Sequence, residues 1–291
     1  MNTVRKLLAQ ARGQLQATSA QPALDAEVLL AHVLRRERSW LYAWPEQVAD
    51  ADQTRIYERL ITLRSQGRPV AHLTGEREFW SLRLRVSENT LIPRPETELL
   101  VETVLELDLP TDAHVLDLGT GSGAIALALA SERADWRITG SDLSMAALAI
   151  ARDNAAALGL SRLRWLNGDW FEALAPQEQF DLIVSNPPYV AEQDPHLEQG
   201  DLRFEPAAAL RSGADGLRDI RTIAAGAGRF LRPGGWLWLE HGWKQGGKVA
   251  ELLQCQGFGQ IERRHDLAGR ERLTGGRRIT TEHQAYQGNP A

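Results

Sequence analysis

The hydrophobic rhythm of the chain changes twice. Up to residue 76, apolar residues recur at three- and four-residue spacing. Val4, Leu7, Leu8, Ala11 and Leu15 form one stripe. Ala26, Leu29, Leu30 and Val33 form a second, and Ile56, Leu60 and Ile61 a third. Such spacing puts the apolar side chains on one face of a helix, and Pro22 and Pro45 punctuate the segments. The pattern predicts a small helical bundle over 1–76. At Phe79 the period shortens. Phe79, Leu82, Leu84 and Val86 predict strands, with Ser87 to Thr90 as a turn, so 77–92 reads as a hairpin linking two parts. A proline-stiffened loop follows, Leu91-Ile92-Pro93-Arg94-Pro95-Glu96-Thr97-Glu98, and Thr97 or Glu98 opens a helix running through Leu107.

From His114 onward short apolar runs alternate with helical patterns, which predicts a parallel sheet covered by helices. Strands are expected at 114–119, 136–142, 163–168, 180–185 and 235–240, and helices at 123–132, 144–158, 215–230 and 245–256. Pro233-Gly234-Gly235 reads as a turn feeding the strand Trp236 to Glu240. An antiparallel pair at 258–265 and 271–279 completes the sheet edge, and the polar last dozen residues read as a frayed tail.

Composition narrows this picture modestly. At 291 residues the chain can bury a sizeable core. A net charge of −5 provides no global basic field for nucleic acid. The basic residues are nearly all Arg. Residues 1–80 carry 11 Arg/Lys and 9 Asp/Glu, too small an excess to choose a nucleic-acid partner over a protein one. The single cysteine, Cys255, excludes an internal disulfide and a cysteine-rich metal site; lying in a predicted helix, it reads as a small core residue. With no signal-peptide pattern or long apolar span, the expected location is the cytoplasm.

The candidate chemistry sits at strand ends. Val115-Leu116-Asp117-Leu118-Gly119-Thr120-Gly121-Ser122-Gly123 is a strand running into a glycine-rich turn that opens a helix. Glycines there let a ligand approach the backbone. No Gly-Lys-Ser/Thr follows, and Gly-x-Gly-x-Gly differs from the dinucleotide Gly-x-Gly-x-x-Gly. Asp117 either holds backbone N–H groups under the loop or meets a cofactor amine. Asp142 ends the next strand, about 20 residues on, where a carboxylate can accept both hydroxyls of a ribose. Asp169 and Trp170 end the one after; the indole either covers an adenine face or simply packs. Asn186-Pro187-Pro188-Tyr189 then follows the apolar strand 180–185. Its prolines cannot continue a ladder, so they hold a rigid turn with free carbonyls, and the Asn side chain can grip a planar amide or an aminopurine edge. In a doubly wound sheet all these ends converge on one crevice. Arg94 and Glu96 either line that crevice or merely belong to a capped helix start. His72, His196 and His241 lack metal-ligand spacing and read as packing or surface residues.

With these motifs in this order, the chain resembles the class I S-adenosylmethionine-dependent methyltransferases. Within them it resembles the HemK/PrmC family, which methylates a release-factor glutamine. The resemblance spans nearly the whole chain. Beyond the Gly loop and Ser185 to Tyr189 it is carried by Ala71 to Gly75, Phe79 to Leu82, Leu91 to Glu98 and Arg203-Phe204-Glu205-Pro206. It implies an α/β, Rossmann-like domain over 93–291 with a mostly parallel seven-stranded sheet. S-adenosylmethionine would be held by Asp117, Gly119, Thr120, Gly121, Ser122, Gly123, Asp142, Asp169, Trp170 and Asn186. The substrate glutamine would be held by Asn186, Pro187, Pro188 and Tyr189, with Arg94 and Glu96 beside them, and no metal. The Asn186 side-chain oxygen and the Pro187 carbonyl would accept the two amide N–H bonds, and Tyr189 would pack on the amide plane. The helices of 1–76 would help dock the release factor. A monomer without stable nucleic-acid or membrane partners is expected. The departure is the polar carboxyl-terminal tail, longer than the resemblance leads one to expect.

Two other readings remain. An adenine-N6 methyltransferase of DNA or RNA uses the same grip, but no large recognition insert or basic stripe is present. A non-catalytic relative would be expected to have lost at least one of the motifs.

Overall fold

The computed structural model describes residues 1–279, so the polar tail of the last dozen residues lies outside the described residues. The chain forms two compact units: Met1–Glu76 with the returning segment Glu198–Phe204, and Arg77–Leu197 with the chain from Glu205 onward.

The first unit holds α1 (Val4–Leu15), α2 (Pro22–Leu34), α3 (Arg38–Ala43), α4 (Ala51–Ser65) and α5 (Val70–Thr74). Thr3 caps α1, and Asp50 with Gln53 forms a capping box on α4, which satisfies N–H groups that have no partner inside the helix. The stripes of α1 and α2 are buried as expected except that Leu8 and Val33 are only partly so, while Ile56 is exposed. On α4 the inner face is Thr54, Tyr57 and Ile61; the Tyr57 ring is buried because its hydroxyl finds the Ala26 carbonyl at 3.0 Å. Arg64 bonds Asp25 at 2.6 Å and Asp201 at 2.9 Å, tying Glu198–Phe204 into this unit.

Next comes a hairpin of β1 (Glu76–Phe79) and β2 (Leu82–Arg85). Its turn is Trp80-Ser81, both at positive φ (51° and 58°), rather than Ser87 to Thr90, which turns only after β2 has ended. Glu98 accepts the Trp80 backbone N–H, and Glu132 accepts its indole N–H, each at 2.8 Å. Glu98 opens α6 (Glu98–Leu105).

The remaining elements alternate: β3 (His114–Leu118), α7 (Ala124–Glu132), β4 (Arg137–Asp142), α8 (Met145–Ala157), β5 (Arg164–Asn167), β6 (Phe180–Ser185), α9 (Arg218–Phe230), β7 (Leu231–Glu240), α10 (Gly246–Cys255), β8 (Phe258–His265) and β9 (Glu271–Arg278). The seven strands order as β5-β4-β3-β6-β7-β9-β8, and β9 alone runs opposite to the other six. This is the expected α/β architecture. One face packs on α6 and α7 through residues such as Leu100, Val101 and Leu127; the other packs on α9 and α10 through Ile220, Ile223, Val249 and Leu253.

Three local expectations are corrected. Pro233-Gly234-Gly235 does not precede β7 but lies inside it. Phe180 pairs with Leu231 and Leu182 with Trp236, so β7 advances five residues while β6 advances two, and a bulge is where a strand tolerates a residue without an N–H. Helix α9 starts at Arg218 rather than 215, because Gly216 sits at φ 74° where a Cβ would come within 2.4 Å of the Tyr189 carbonyl. Cys255 ends α10 but is exposed: the buried stripe is Val249 and Leu253, and a residue two places past Leu253 faces away. Among the described residues no helix is long and apolar enough to cross a membrane.

Candidate functional site

The order of strands reverses between β3 and β6, and a crevice opens beyond their carboxyl ends, as the doubly wound topology requires. It is a cavity of about 630 Å³, within the size range of small-molecule sites. Of the residues expected there, Gly119, Gly121, Asp142, Asp169, Trp170, Asn186 and Pro188 line it.

The floor is made of backbone. Gly119 and Thr120 both donate to the Ser141 carbonyl at 2.9 Å, which folds the loop onto the end of β4. Gly119, Gly121 and Gly123 all have positive φ, which only glycine adopts without strain. Their surroundings differ. A Cβ on Gly121 would point into open space, whereas one on Gly123 would press Leu127, Trp165 and Ala151 at 3.1–3.2 Å. Gly121 thus faces the cavity, and Gly123 serves close packing of α7. Trp170, itself at φ 45°, lays its ring over Gly119, with Cζ3 3.5 Å from where a Cβ would stand.

Asp142 is held in place by two backbone donors, Gly121 N–H and Ser144 N–H, each at 2.8 Å. Burial pushes its acidity down, against these bonds. Each carboxylate oxygen keeps a free lone pair for a ligand hydroxyl. Asp117, Thr120, Ser122 and Gly123 lie beneath the cavity rather than on its wall. Asp117 is fully buried and accepts the Thr120 hydroxyl at 2.6 Å. Burial raises it to about 7; the Thr120 hydroxyl and the Ala126 amide oppose this, and the charge of Asp142 adds to it. The Ser122 carbonyl accepts from Asn154, whose side chain also pairs both ways with the Arg85 backbone and so ties the hairpin to the loop.

The opposite wall is built from side chains. The Asn186 NH2 donates to Thr97 Oγ1 at 3.1 Å, and its Oδ1 is buried with no hydrogen-bond partner. An orphaned buried acceptor is costly, so it marks a place where a ligand donor is expected. Pro187 is buried. The Tyr189 ring packs against the α9–α10 side of the core, its hydroxyl donates to Glu240 Oε1 at 3.3 Å, and burial raises it far above its ordinary value. The rings of Pro187 and Tyr189 therefore stand behind the cavity wall. Arg94 is engaged by the buried Glu205, which also accepts the Ile92 N–H at 2.8 Å, and Glu96 is exposed; neither lines the cavity.

Sequence reasoning passed over several residues. Leu143 lines the cavity and is 66% exposed, a large apolar side chain held in solvent directly after Asp142. Thr97 and Glu240 stand behind Asn186. Glu240 ends β7, so the edge rule that located Asn186 also points to it. His241 is buried, with Nε2 2.8 Å from Thr274 Oγ1, and burial lowers it, which fits a packing role.

Comparison with known proteins points to one family. The family model described as the PrmC N-terminal domain matches residues 6–75, and that of the methyltransferase small domain matches residues 95–214. A release factor glutamine methyltransferase of Vibrio cholerae is 48% identical over 97% of this chain and 99% of its own length. One from Xylella fastidiosa is 52% identical over 90% of this chain and 95% of its own. A methyltransferase structure from Pyrococcus furiosus shares the fold, with a TM-score of 0.53 and 17% identity over 77% of this chain and 98% of that one. Identity near one half, sustained over nearly the full length of both partners, places the chain in the release factor glutamine methyltransferase family.

Proposed function

We propose that the chain methylates the side-chain amide nitrogen of a glutamine in peptide-chain release factors, within a Gly-Gly-Gln loop, using S-adenosylmethionine. The observation that carries this reading is the unpartnered, buried Asn186 Oδ1 beside a cavity floored by glycine backbone. The residues fit the cofactor: Gly121 leaves the floor open, Asp142 retains acceptor capacity for a ribose, and Leu143 and Trp170 present apolar faces for a purine.

When bound, S-adenosylmethionine supplies a methyl group on a positively charged sulfur, which departs as the neutral thioether. The protein's part is alignment. An amide nitrogen is a poor nucleophile because its lone pair is delocalised into the carbonyl. Asn186 Oδ1 accepts one N–H of the glutamine amide. The Pro187 carbonyl, which accepts no hydrogen bond among the described residues, takes the other. Two fixed acceptors turn the nitrogen toward the methyl, and positioning of this kind is worth up to about 7–11 kcal/mol. They also favour the positive charge that grows on nitrogen as the new N–C bond forms. The displaced proton leaves to water. Pro188 closes the wall, and Tyr189 stiffens it from behind. Arg94, locked to Glu205, shapes the approach loop. The helical unit of 1–76 docks the release factor, and the protein works as a cytoplasmic monomer.

The test is methyl transfer from labelled S-adenosylmethionine to purified release factor. Controls are the same factor with its Gly-Gly-Gln glutamine changed to alanine, and double-stranded DNA. Label on the unchanged factor alone is expected. Label on DNA with none on the factor would mean that the grip takes an adenine amine instead.

A further inference from the structure

The Asn186–Tyr189 turn is tied down at both ends. At its start the Asn186 NH2 donates to Thr97 Oγ1 at 3.1 Å. At its end the Tyr189 carbonyl receives no backbone N–H among the described residues. The donor comes instead from a side chain, Gln245 Nε2, at 3.1 Å. Gln245 stands in the turn between β7 and α10, immediately before Gly246.

The Gln245 amide can point only one way. Its backbone N–H donates to the Gly242 carbonyl at 2.8 Å, and its Oε1 accepts the Gly242 N–H at 2.8 Å. A backbone N–H only gives and a carbonyl only accepts, so the oxygen end is taken and the NH2 end must meet carbonyls. It meets that of Tyr189 at 3.1 Å and those of Asp215 and Gly216 at 3.4 Å. The slot has no spare room. A Cβ on Gly216 would stand 2.4 Å from the Tyr189 carbonyl oxygen and 2.8 Å from Gln245 Nε2. One side chain thus holds the end of the Asn186 turn, the segment that leads into α9 and the Gly242 turn in a single register.

We propose that Gln245 is a positioning residue: by fixing the Tyr189 carbonyl, it sets where Asn186 Oδ1 and the Pro187 carbonyl stand. Pro187 and Pro188 lock φ, so the turn moves as a stiff piece and a shift at Tyr189 is passed on to Asn186. What those acceptors grip rests on the glutamine reading above; the placement of the turn does not. The cofactor floor is bonded separately, Gly119 and Thr120 to Ser141 and Gly121 to Asp142, and none of these groups shares a hydrogen bond with Gln245. Gln245 therefore acts on turnover and leaves cofactor affinity alone.

The test uses the full chain with three substitutions. Gln245→Glu keeps the acceptor for Gly242 and sets an oxygen against the Tyr189 carbonyl. Gln245→Met and Gln245→Lys both lose the acceptor, but the lysine ammonium still offers three donors to the carbonyls. In Gln245→Glu and Gln245→Met, turnover at saturating cofactor should fall at least about tenfold, while the dissociation constant for S-adenosylmethionine stays within about twofold of the parent's. Gln245→Lys should recover most of the turnover. The nitrogen-15 signals of the Asn186 side-chain NH2 should move in the first two variants and stay near the parent's in the third. A lysine variant as slow as the methionine one overturns the proposal, as do unmoved Asn186 signals in Gln245→Met or a loss of cofactor affinity equal to the loss of turnover. Should Gln245→Glu not fold, Gln245→Met set against Gln245→Lys decides alone. A protein that methylates no release factor, yet shows this pattern of signals, would sink the proposed function and leave the positioning role standing.

Discussion

The two walls of the cavity solve opposite problems. On the glycine side, the backbone donors are paired before any ligand arrives, Gly119 and Thr120 with Ser141, Gly121 and Ser144 with Asp142, while Asp117 Oδ1 and Ser141 Oγ are buried without a partner. On the Asn186 side, two buried acceptors, Asn186 Oδ1 and Glu240 Oε2, have no partner. Paired backbone donors hold the glycine side in shape, so that it can bind a ligand without rearranging. The orphaned Asn186 Oδ1 keeps a standing electrostatic demand that only the correct donor relieves. Affinity is thus expected to live on one side and turnover on the other.

The strongest way to break that division is Asn186→Ala. It should lower turnover about 10²–10³-fold, with cofactor affinity within about threefold, measured by initial rates and calorimetry. Equal losses in both would erase the distinction. Asp142→Asn should do the reverse. Losing charge-assisted bonds worth about 1.5–3 kcal/mol weakens cofactor binding roughly tenfold to a hundredfold, while turnover at saturation is nearly retained. Trp170→Ala should weaken binding several-fold, and Trp170→Phe should restore most of it, as titration by fluorescence or calorimetry would show.

The smallest effect sharpens the electrostatics. Burial raises folded Asp117 and Glu240 to about 7 from ordinary values of 3.8 and 4.5. Between those ordinary values and about 7 the folded state holds protons that the unfolded chain has released. Stability therefore falls as pH rises through that window and levels off above it. The melting temperature should drop on the order of 5 °C between about pH 5 and pH 8, and Asp117→Asn should flatten the slope.

How much of this was legible in the sequence depends on which physics wrote each part. The strands and helices of the second unit were readable because largely apolar runs such as 180–185 admit few other fates. Asn186 and Asp142 were readable because topology sends strand ends to one edge. The Trp80-Ser81 turn was not, since neither residue advertises positive φ; it is held by Glu98 and Glu132, distant in sequence. Pro233 misled because its bulge depends on how β6 pairs with β7. Ile56 misled because an aromatic with a reachable carbonyl, Tyr57, took the inner face. The role of Gly123 as a packing glycine, unlike its neighbour Gly121, followed only from knowing where Trp165 and Ala151 lie.

The order of the sheet has a consequence for synthesis. β9 is the last described strand to leave the ribosome, yet it takes an interior place between β7 and β8. Until residue 278 has emerged, β8 has no partner and β7 ends the sheet with an open edge. A messenger cut short or a premature stop upstream of Glu271 would therefore yield neither a smaller enzyme nor a tolerably trimmed one. It would yield a chain with a ready template for joining other chains, and quality control would meet it as an aggregate-prone fragment.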